Sequence, residues 1–136
     1  MGHKKILLAD DSEVILRILS KKLKSCGYEV FTALDGAGLV GVIRRERIDL
    51  LILDINFPPN PNAVTWSGFD MIQWLQQQPQ TSGIPAILIS ADNPMEHKDR
   101  AVAAGVVAIL HKPVNENDLI AIIRETLGED PLPPKK

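Results

Sequence analysis

Short aliphatic runs alternate along the chain with longer segments of helical periodicity, and this alternation constrains the fold more than any other feature. The strand-like runs are KKILLAD (4–10), YEVFTA (28–33), DLLILD (49–54), PAILISA (85–91) and VVAIL (106–110). Strands that alternate with helices form a parallel sheet, because parallel neighbours need long crossover connections. Aliphatic runs without polar alternation are typical of a sheet that is covered on both faces. We therefore expect an α/β fold, a (βα)5 sandwich of three layers with a five-stranded parallel sheet in the middle.

The segments between the runs carry the start and stop signals of helices. The predicted helices span 13–27, 36–48, 68–78, 93–105 and 115–128. Asn93 and Pro94 suit a helix start, and Gly27 and Gly105 suit helix ends. In the first helix, the apolar residues that recur at helical spacing are Val14, Leu16, Ile18, Leu19, Leu23 and Cys26.

Length and charge limit the classes of protein to consider. The 136 residues suit one domain, which we place at 1–128, with the tail EDPLPPKK (129–136) as an unstructured end or the start of a linker. The net charge of −2 gives no reason to expect binding to nucleic acid or to an anionic membrane. The single cysteine, Cys26, suits a reducing compartment and is expected to pack as a small apolar side chain. No apolar run approaches the roughly 20 residues of a membrane span, and no signal peptide is evident, so we expect a cytoplasmic protein.

Polar side chains stand at the carboxyl ends of four of the five predicted strands. Ligands of open α/β sheets bind at these ends, where consecutive strands bring their last residues together. The residues are Asp10 and Asp11 after the first strand, Asp54 at the end of the third, Ser90 at the end of the fourth, and Lys112 after the fifth. The sequence thus predicts three carboxylates, one hydroxyl and one ammonium group at a single edge.

This set of groups points to phosphoryl transfer assisted by a cation. Three neighbouring carboxylates repel one another unless a cation lies among them, and oxygen donors without a His/Cys cluster favour Mg²⁺. Lys112 and Ser90 suit the binding of phosphoryl oxygens, and Asp54 suits the role of nucleophile. Such a transfer depends on in-line positioning and charge neutralisation, which these residues provide.

Each of these residues also has a purely structural interpretation. Asp10 and Glu13 fit a capping box at the start of the first helix, and Asp54 fits a turn after a strand. Ser90 and Lys112 alone are ordinary loop residues. The functional interpretation rests on the combination, since four separate strands end in compatible chemistry.

Four motifs resemble the receiver domain of bacterial response regulators. They are LLADDS (7–12), LLILDINFP (50–58), ILISA (87–91) and ILHKPV (109–114), and the resemblance extends from about Lys4 to Leu127. It implies a flavodoxin-like fold with strand order 2-1-3-4-5. It also implies a signalling domain of a two-component system or phosphorelay, which catalyses only its own phosphorylation and dephosphorylation and switches conformation.

The resemblance assigns the acceptor and the metal ligands. Asp54 would accept a phosphoryl group from a histidine kinase or phosphotransfer protein. Asp11 would bind Mg²⁺ directly, Asp10 through water, and Asn56 through its backbone carbonyl.

The resemblance also assigns the groups around the phosphoryl oxygens. Ser90 and Lys112 would bind these oxygens, Ala91 would be the small residue that admits the phosphoryl group, and the Lys112-Pro113 peptide would be cis. The signal would pass to a downstream effector protein or a fused output domain through a surface of the fourth helix, fifth strand and fifth helix. Dimerisation on phosphorylation stays open.

Two departures from the family pattern stand out. Ile109 occupies the switch position, three residues before Lys112, where the family usually has an aromatic residue; it is either a packing variant or a sign of a different switch. The glycine that matches the family pattern, Gly68, comes 14 residues after Asp54 instead of eight, so the loop between Pro58 and Gly68 is six residues longer. This extension is either a tolerated surface loop or a shield and partner-selecting element anchored by Trp66.

The remaining polar and aromatic residues have milder interpretations. Trp74 is expected to pack in its helix, and His97 and His111 are expected to be solvated, with a small chance of a role for His111 beside Lys112. Asn56 and Asp92 occupy positions that tune dephosphorylation in the family.

Three other functions compete with the receiver interpretation. A phosphatase of the haloacid-dehalogenase type would need a second aspartate where Asn56 stands, and usually a cap domain. A flavin or dinucleotide module would need a glycine-rich loop after a strand, and none is present. A degenerate receiver that works without phosphate would lack part of the phosphorylation set, which is complete here.

Overall fold

The computed structural model describes residues 3–56 and 68–129, which form a five-stranded parallel sheet with helices on both faces. The strands are β1 (Lys5–Ala9), β2 (Glu29–Ala33), β3 (Leu50–Asp54), β4 (Ala86–Ser90) and β5 (Ala108–His111). Their order in the sheet is β2-β1-β3-β4-β5, and every neighbouring pair is parallel. Both the predicted α/β class and the strand order implied by the resemblance are confirmed.

The helices follow the predicted positions with shorter ends. They are α1 (Glu13–Ser25), α2 (Gly36–Arg45), α3 (Gly68–Gln76), α4 (Lys98–Ala104) and α5 (Glu116–Thr126). The predicted helix 93–105 is divided, because the amides of Glu96 and Lys98 bond three residues back to the carbonyls of Asn93 and Met95. This 3-10 turn, Pro94–His97, precedes α4 and is common at helix starts.

The sheet separates two apolar cores, because successive strand side chains point to opposite faces. On one face, Ile6, Leu8 and other buried strand residues pack with α1 and α5. On the other face, Leu7, Leu53 and their neighbours pack with α2, α3 and α4. Trp74 of α3 packs against this second core, as predicted.

The apolar residues of α1 divide between a buried and an exposed side. Leu16, Leu19 and Leu23 are buried, and Cys26 is half-buried against the same core, as expected for a small apolar side chain. In contrast, Val14 is 61% exposed and Ile18 is 52% exposed. Two positions correspond to roughly 200° around a helix, so residues two away from Leu16 lie on its far side.

The end of α5 is attached to the start of β2. Tyr28, a buried residue, donates a hydrogen bond of 2.6 Å from its hydroxyl to Glu129 Oε1. The Glu129 amide also donates to the carbonyl of Arg124. Glu129, placed by the sequence at the start of the tail, therefore packs on the domain. Across 3–56 and 68–129, the structure contains no helix with the length and apolarity of a membrane span.

Candidate functional site

The carboxyl ends of β1, β3 and β4 bring three buried polar side chains to one edge of the sheet. Asp10 follows β1, Asp54 ends β3 and Ser90 ends β4, and their exposed fractions are 0%, 3% and 0%. Asp11 is exposed beside them. One carboxylate oxygen each from Asp10, Asp11 and Asp54 lies within 4.8 Å of the others.

Lys112, which follows β5, places its ammonium group between two of these carboxylates. Its Nζ lies 3.1 Å from Asp54 Oδ2 and 3.1 Å from Asp10 Oδ2. The other carboxylate oxygens accept backbone hydrogen bonds, Asp54 Oδ1 from the Asn56 amide at 3.0 Å and Asp10 Oδ1 from the Ser12 amide at 2.8 Å. Asp54 is therefore held through both of its oxygens.

Burial and charge act in opposite directions on these groups. Burial raises the pKa of Asp10, and the neighbouring Asp54 charge adds to this effect, while the Ser12 amide and Lys112 reduce it. Burial lowers the pKa of Lys112, but the hydrogen bond to Asp54 and the charges of Asp54 and Asp10 outweigh burial and leave that pKa raised. Lys112 is thus a permanent cation at neutral pH beside two carboxylates.

The donor atoms at this edge fit a hard divalent cation. Asp10 Oδ2 is buried and faces Lys112, yet it accepts no hydrogen bond from the residues that the structure describes. Two buried carboxylates and one exposed carboxylate leave more negative charge than Lys112 alone neutralises. Oxygen ligands of this kind are those of Mg²⁺, so Asp10, Asp11 and Asp54 are the residues that could hold it.

The start of α1 explains why Asp10 is available to the site. Ser12 caps the helix, since its hydroxyl accepts the amide of Ile15 at 3.3 Å. The capping box of Asp10 and Glu13 is therefore wrong. Asp10 accepts the Ser12 amide instead, and its second oxygen is directed towards Lys112.

The end of β4 fixes the Ser90 hydroxyl. The amide of Asp92 donates to Ser90 Oγ at 3.0 Å, and the amide of Lys112 donates to the Ser90 carbonyl at 2.8 Å. The Lys112-Pro113 peptide is cis. The loop after β4 and the end of β5 are thus joined through Ser90.

Both histidines near the site make contacts that the sequence did not predict. His111 Nε2 lies 3.1 Å from the carbonyl oxygen of Ala91. His97 Nε2 lies 3.6 Å from Asp92 Oδ2, and its ring centroid lies 5.8 Å from that of Phe69. Phe69 belongs to α3, far from His97 in the chain, so no local pattern could have indicated that contact.

Ile109, at the position where the family usually has an aromatic residue, is partly buried and packs against the core of α2, α3 and α4. The structure therefore gives this side chain a packing role.

The connection between β3 and α3 begins and ends at adjacent backbone segments. The Gly68 amide donates to the carbonyl of Ile55, and a Cβ on Gly68 would lie 2.7 Å from the Asp54 carbonyl oxygen. Only glycine allows this approach. The six-residue extension and Trp66 fall within 57–67, outside the described residues.

Comparison with known proteins agrees with this geometry. Residues 6–124 match the family described as the response regulator receiver domain. The response regulator PleD of Caulobacter vibrioides is 32% identical over 120 residues, which are 88% of this chain and 25% of PleD. The transcriptional regulatory protein GlrR of Escherichia coli is 33% identical over 131 residues, 95% of this chain and 28% of GlrR. The chain thus spans about a quarter of the length of these two relatives.

Solved structures show the same fold. The chemotaxis response regulator CheY4 of Vibrio cholerae superposes with a TM-score of 0.80 at 29% identity, covering 92% of this chain and 99% of CheY4. The receiver domain of the sensor histidine kinase PA1611 of Pseudomonas aeruginosa, solved with magnesium in its active site cleft, gives a TM-score of 0.78 at 24% identity and covers 94% of this chain and 100% of its own. The chain belongs to the response regulator receiver domain family, the CheY-like signalling domains of two-component systems.

Proposed function

We propose that Asp54 accepts a phosphoryl group from a phosphohistidine of a histidine kinase or phosphotransfer protein, in a transfer that depends on Mg²⁺. The observation that carries the proposal is the position of the Asp54 carboxylate, which is buried, held by the Asn56 amide and by Lys112, and flanked by the carboxylates of Asp10 and Asp11. An aspartate that only ended a strand would need neither the ammonium group of Lys112 nor the carboxylates of Asp10 and Asp11 beside it.

In the transfer, a carboxylate oxygen of Asp54 attacks phosphorus and forms an acyl phosphate. The P–N bond of the donor breaks, and its imidazole keeps the electron pair and takes up a proton. The Asn56 amide and Lys112 fix the orientation of the attacking carboxylate before the donor arrives. Such preorganisation lowers the entropic part of the barrier.

Asp10, Asp11, Asp54 and the backbone carbonyl of Asn56 are the groups that we assign to Mg²⁺, with Asp10 acting through water. When bound, the cation neutralises negative charge on the incoming phosphoryl oxygens. Two observations support this assignment: Asp10 Oδ2 is buried and faces Lys112 without accepting a hydrogen bond within 3–56 and 68–129, and oxygens of all three carboxylates lie close together. The magnesium in the active site cleft of the PA1611 receiver domain is consistent with it.

We assign the phosphoryl oxygens to Lys112 and Ser90. Lys112 exchanges its contact with Asp54 for a contact with a phosphoryl oxygen, and the Ser90 hydroxyl donates to another. Ala91, which has only a methyl group beside Ser90, leaves space for the phosphoryl group. Hydrolysis of the acyl phosphate by water returns the domain to its starting state.

Phosphorylation adds charge to one end of the sheet and shifts a conformational equilibrium of the domain. In this proposal the altered surface consists of α4, β5 and α5, and it controls an effector protein or an attached output domain in the cytoplasm. Receiver domains also dimerise in some systems, so the oligomeric state of the phosphorylated form, monomer or homodimer, should be measured as well.

The proposal is tested by intact mass after incubation with Mg²⁺ and acetyl phosphate. We expect one phosphoryl adduct on the wild type and none on Asp54→Asn or on wild type in EDTA. Asp118→Asn, which removes an exposed carboxylate of α5, is the matched control and should take the adduct like the wild type. An adduct that persists on Asp54→Asn would refute the assignment of the acceptor.

A further inference from the structure

His97 lies half-buried at the end of the 3-10 turn. Its side chain is 20% exposed, and its Nε2 is buried without a hydrogen bond from the described residues. Nε2 lies 3.6 Å from Asp92 Oδ2, which is within the range of an ion pair and longer than a hydrogen bond. A proton on Nε2 makes this nitrogen a donor directed at the Asp92 carboxylate.

Asp92 connects this contact to the candidate site. Its backbone amide donates to Ser90 Oγ at 3.0 Å, and Ser90 is fully buried at the end of β4. The side chain of Asp92 is 55% exposed, so the contact with His97 is its main restraint among the described residues. Asp92 therefore contacts Ser90 through its backbone amide and His97 through its side chain.

The His97 ring also packs against an aromatic side chain. The Phe69 ring lies 5.8 Å from it, centroid to centroid, at an interplanar angle of 43°. Phe69 is itself buried in the first turn of α3, and the Arg100 guanidinium carbon lies 4.5 Å from its ring centroid. The His97 ring thus contacts Phe69 as well as Asp92.

We propose that His97 is a positioning residue for phosphoryl transfer at Asp54, acting through Asp92 on the Ser90 hydroxyl. This inference rests on the proposed function, because Ser90 matters for catalysis only if a phosphoryl group reaches the site. The polar contact of His97 with Asp92 provides the effect, and the packing against Phe69 serves to orient the ring.

Three substitutions separate the polar role of His97 from its packing role. His97→Gln places an amide nitrogen near the position of Nε2 and keeps the donor. His97→Phe keeps an aromatic ring against Phe69 and removes the donor, and His97→Ala removes both. We expect His97→Phe and His97→Ala to form and to lose the adduct about three- to tenfold more slowly than the wild type, and His97→Gln to stay within about twofold.

A double substitution tests the route through Asp92. If His97 acts through Asp92, His97→Ala in an Asp92→Ala background should slow adduct formation no further than Asp92→Ala alone. Additive effects of the two substitutions would overturn the proposal. Two further outcomes would also overturn it. One is a wild-type rate of adduct formation in His97→Phe with a slowed rate in His97→Gln, and the other is an unchanged rate in His97→Ala. Thermal unfolding of each variant verifies that it is folded under the conditions of the assay.

A second measurement does not depend on phosphorylation. Hydrogen exchange of the Asp92 amide reports its bond to Ser90 Oγ, and it should be faster in His97→Ala and His97→Phe than in the wild type and His97→Gln. Equal exchange in all four proteins would overturn the positioning role. Failure of the proposed function has a different signature, namely the absence of any adduct on the wild type.

Discussion

Asp10 is a buried carboxylate in an environment that disfavours its charge. It has no exposed surface, the Asp54 carboxylate is close by, and one of its oxygens accepts no hydrogen bond from the described residues. Because its pKa is raised in the folded protein, the folded state holds the proton more tightly than the unfolded chain does. The stability of the metal-free protein should therefore fall as the pH rises through the raised pKa of Asp10.

Asp10→Asn should accordingly stabilise the metal-free protein at neutral pH. We expect a gain of about 2–5 °C in Tm in EDTA at pH 7, corresponding to ~1 kcal/mol for a domain of this size. The gain should shrink as the pH is lowered and Asp10 becomes protonated. Thermal unfolding followed by circular dichroism measures this difference.

Mg²⁺ provides the control for this prediction. Added Mg²⁺ should raise the Tm of the wild type more than that of Asp10→Asn, because a ligand stabilises the state that binds it. Asp11→Asn, at an exposed position, should change the Tm in EDTA by much less. A lower Tm of Asp10→Asn than of the wild type in EDTA at pH 7 would contradict the prediction.

The placement of Asp10, Asp54, Ser90 and Lys112 follows from sequence, since each stands next to a recognisable strand end and parallel strands end at one edge. The contacts of His97 do not follow from sequence. They depend on how α3 and the 3-10 turn pack against each other, and a single histidine in a helical segment gives no local sign of such packing.

At the scale of the element, the start of α3 is determined by its contact with the end of β3. A Cβ on Gly68 would lie 2.7 Å from the Asp54 carbonyl oxygen and 2.9 Å from Ile55 Cα. Both atoms belong to the backbone that carries the acceptor, so they cannot move without displacing it. A residue with a Cβ at position 68 would therefore force α3 away from the end of β3.

Gly68→Ala should destabilise the domain by about 1–3 kcal/mol, as overpacking against backbone does. Gly83→Ala is the matched control, because a Cβ there has no heavy atom within 4 Å, and it should change stability by less than about 0.5 kcal/mol. Urea unfolding measures both free energies of unfolding. Equal free energies of unfolding for the two variants would contradict the prediction, because α3 would then move away from β3 without a loss of stability.

Periodicity predicted the existence of all five helices, but not every boundary or face. The segment 93–105 was predicted as one helix, and hydrogen bonds to residues three positions back make its first turn a 3-10 turn. Val14 and Ile18 recur at helical spacing with the core residues of α1, yet they are exposed. Periodicity cannot show which apolar residues of a helix the neighbouring strands and α5 cover.

At the scale of the whole molecule, the hydrogen bond of Tyr28 with Glu129 joins residues 101 positions apart. Burial raises the pKa of Tyr28, and the hydrogen bond and charge of Glu129 raise it further. The folded protein thus holds the phenolic proton more tightly than the unfolded chain. The resulting stability is complete below the ordinary tyrosine pKa of about 10 and is lost as the pH rises above it.

Tyr28→Phe should lower the free energy of unfolding by about 1 kcal/mol at pH 7, the usual value of one hydrogen bond. Between pH 9 and 11 the wild type should lose stability relative to the variant, because only the wild type has this proton to lose. Urea unfolding at several pH values measures the difference, and Glu129→Ala in the Tyr28→Phe background should add little. A difference that stays constant up to pH 11 would argue against a role for the phenolic proton.

The topology could be predicted only in part from residue pattern. Aliphatic strands alternating with helices indicate a parallel sheet, but the same pattern fits more than one strand order. The order β2-β1-β3-β4-β5 came from the resemblance of motifs such as LLADDS and ILHKPV to receiver domains. The contact of Tyr28 with Glu129 had no sequence signal, because it depends on where α5 ends in space.

The close approach of Ile55 and Gly68 has a consequence for engineering. The bond of the Gly68 amide to the Ile55 carbonyl fixes both attachment points of segment 57–67 next to each other. The cost of lengthening a loop between fixed ends grows only logarithmically. Insertions between these attachment points should therefore cost the domain little stability, which makes the segment a candidate place to graft a peptide tag or a reporter.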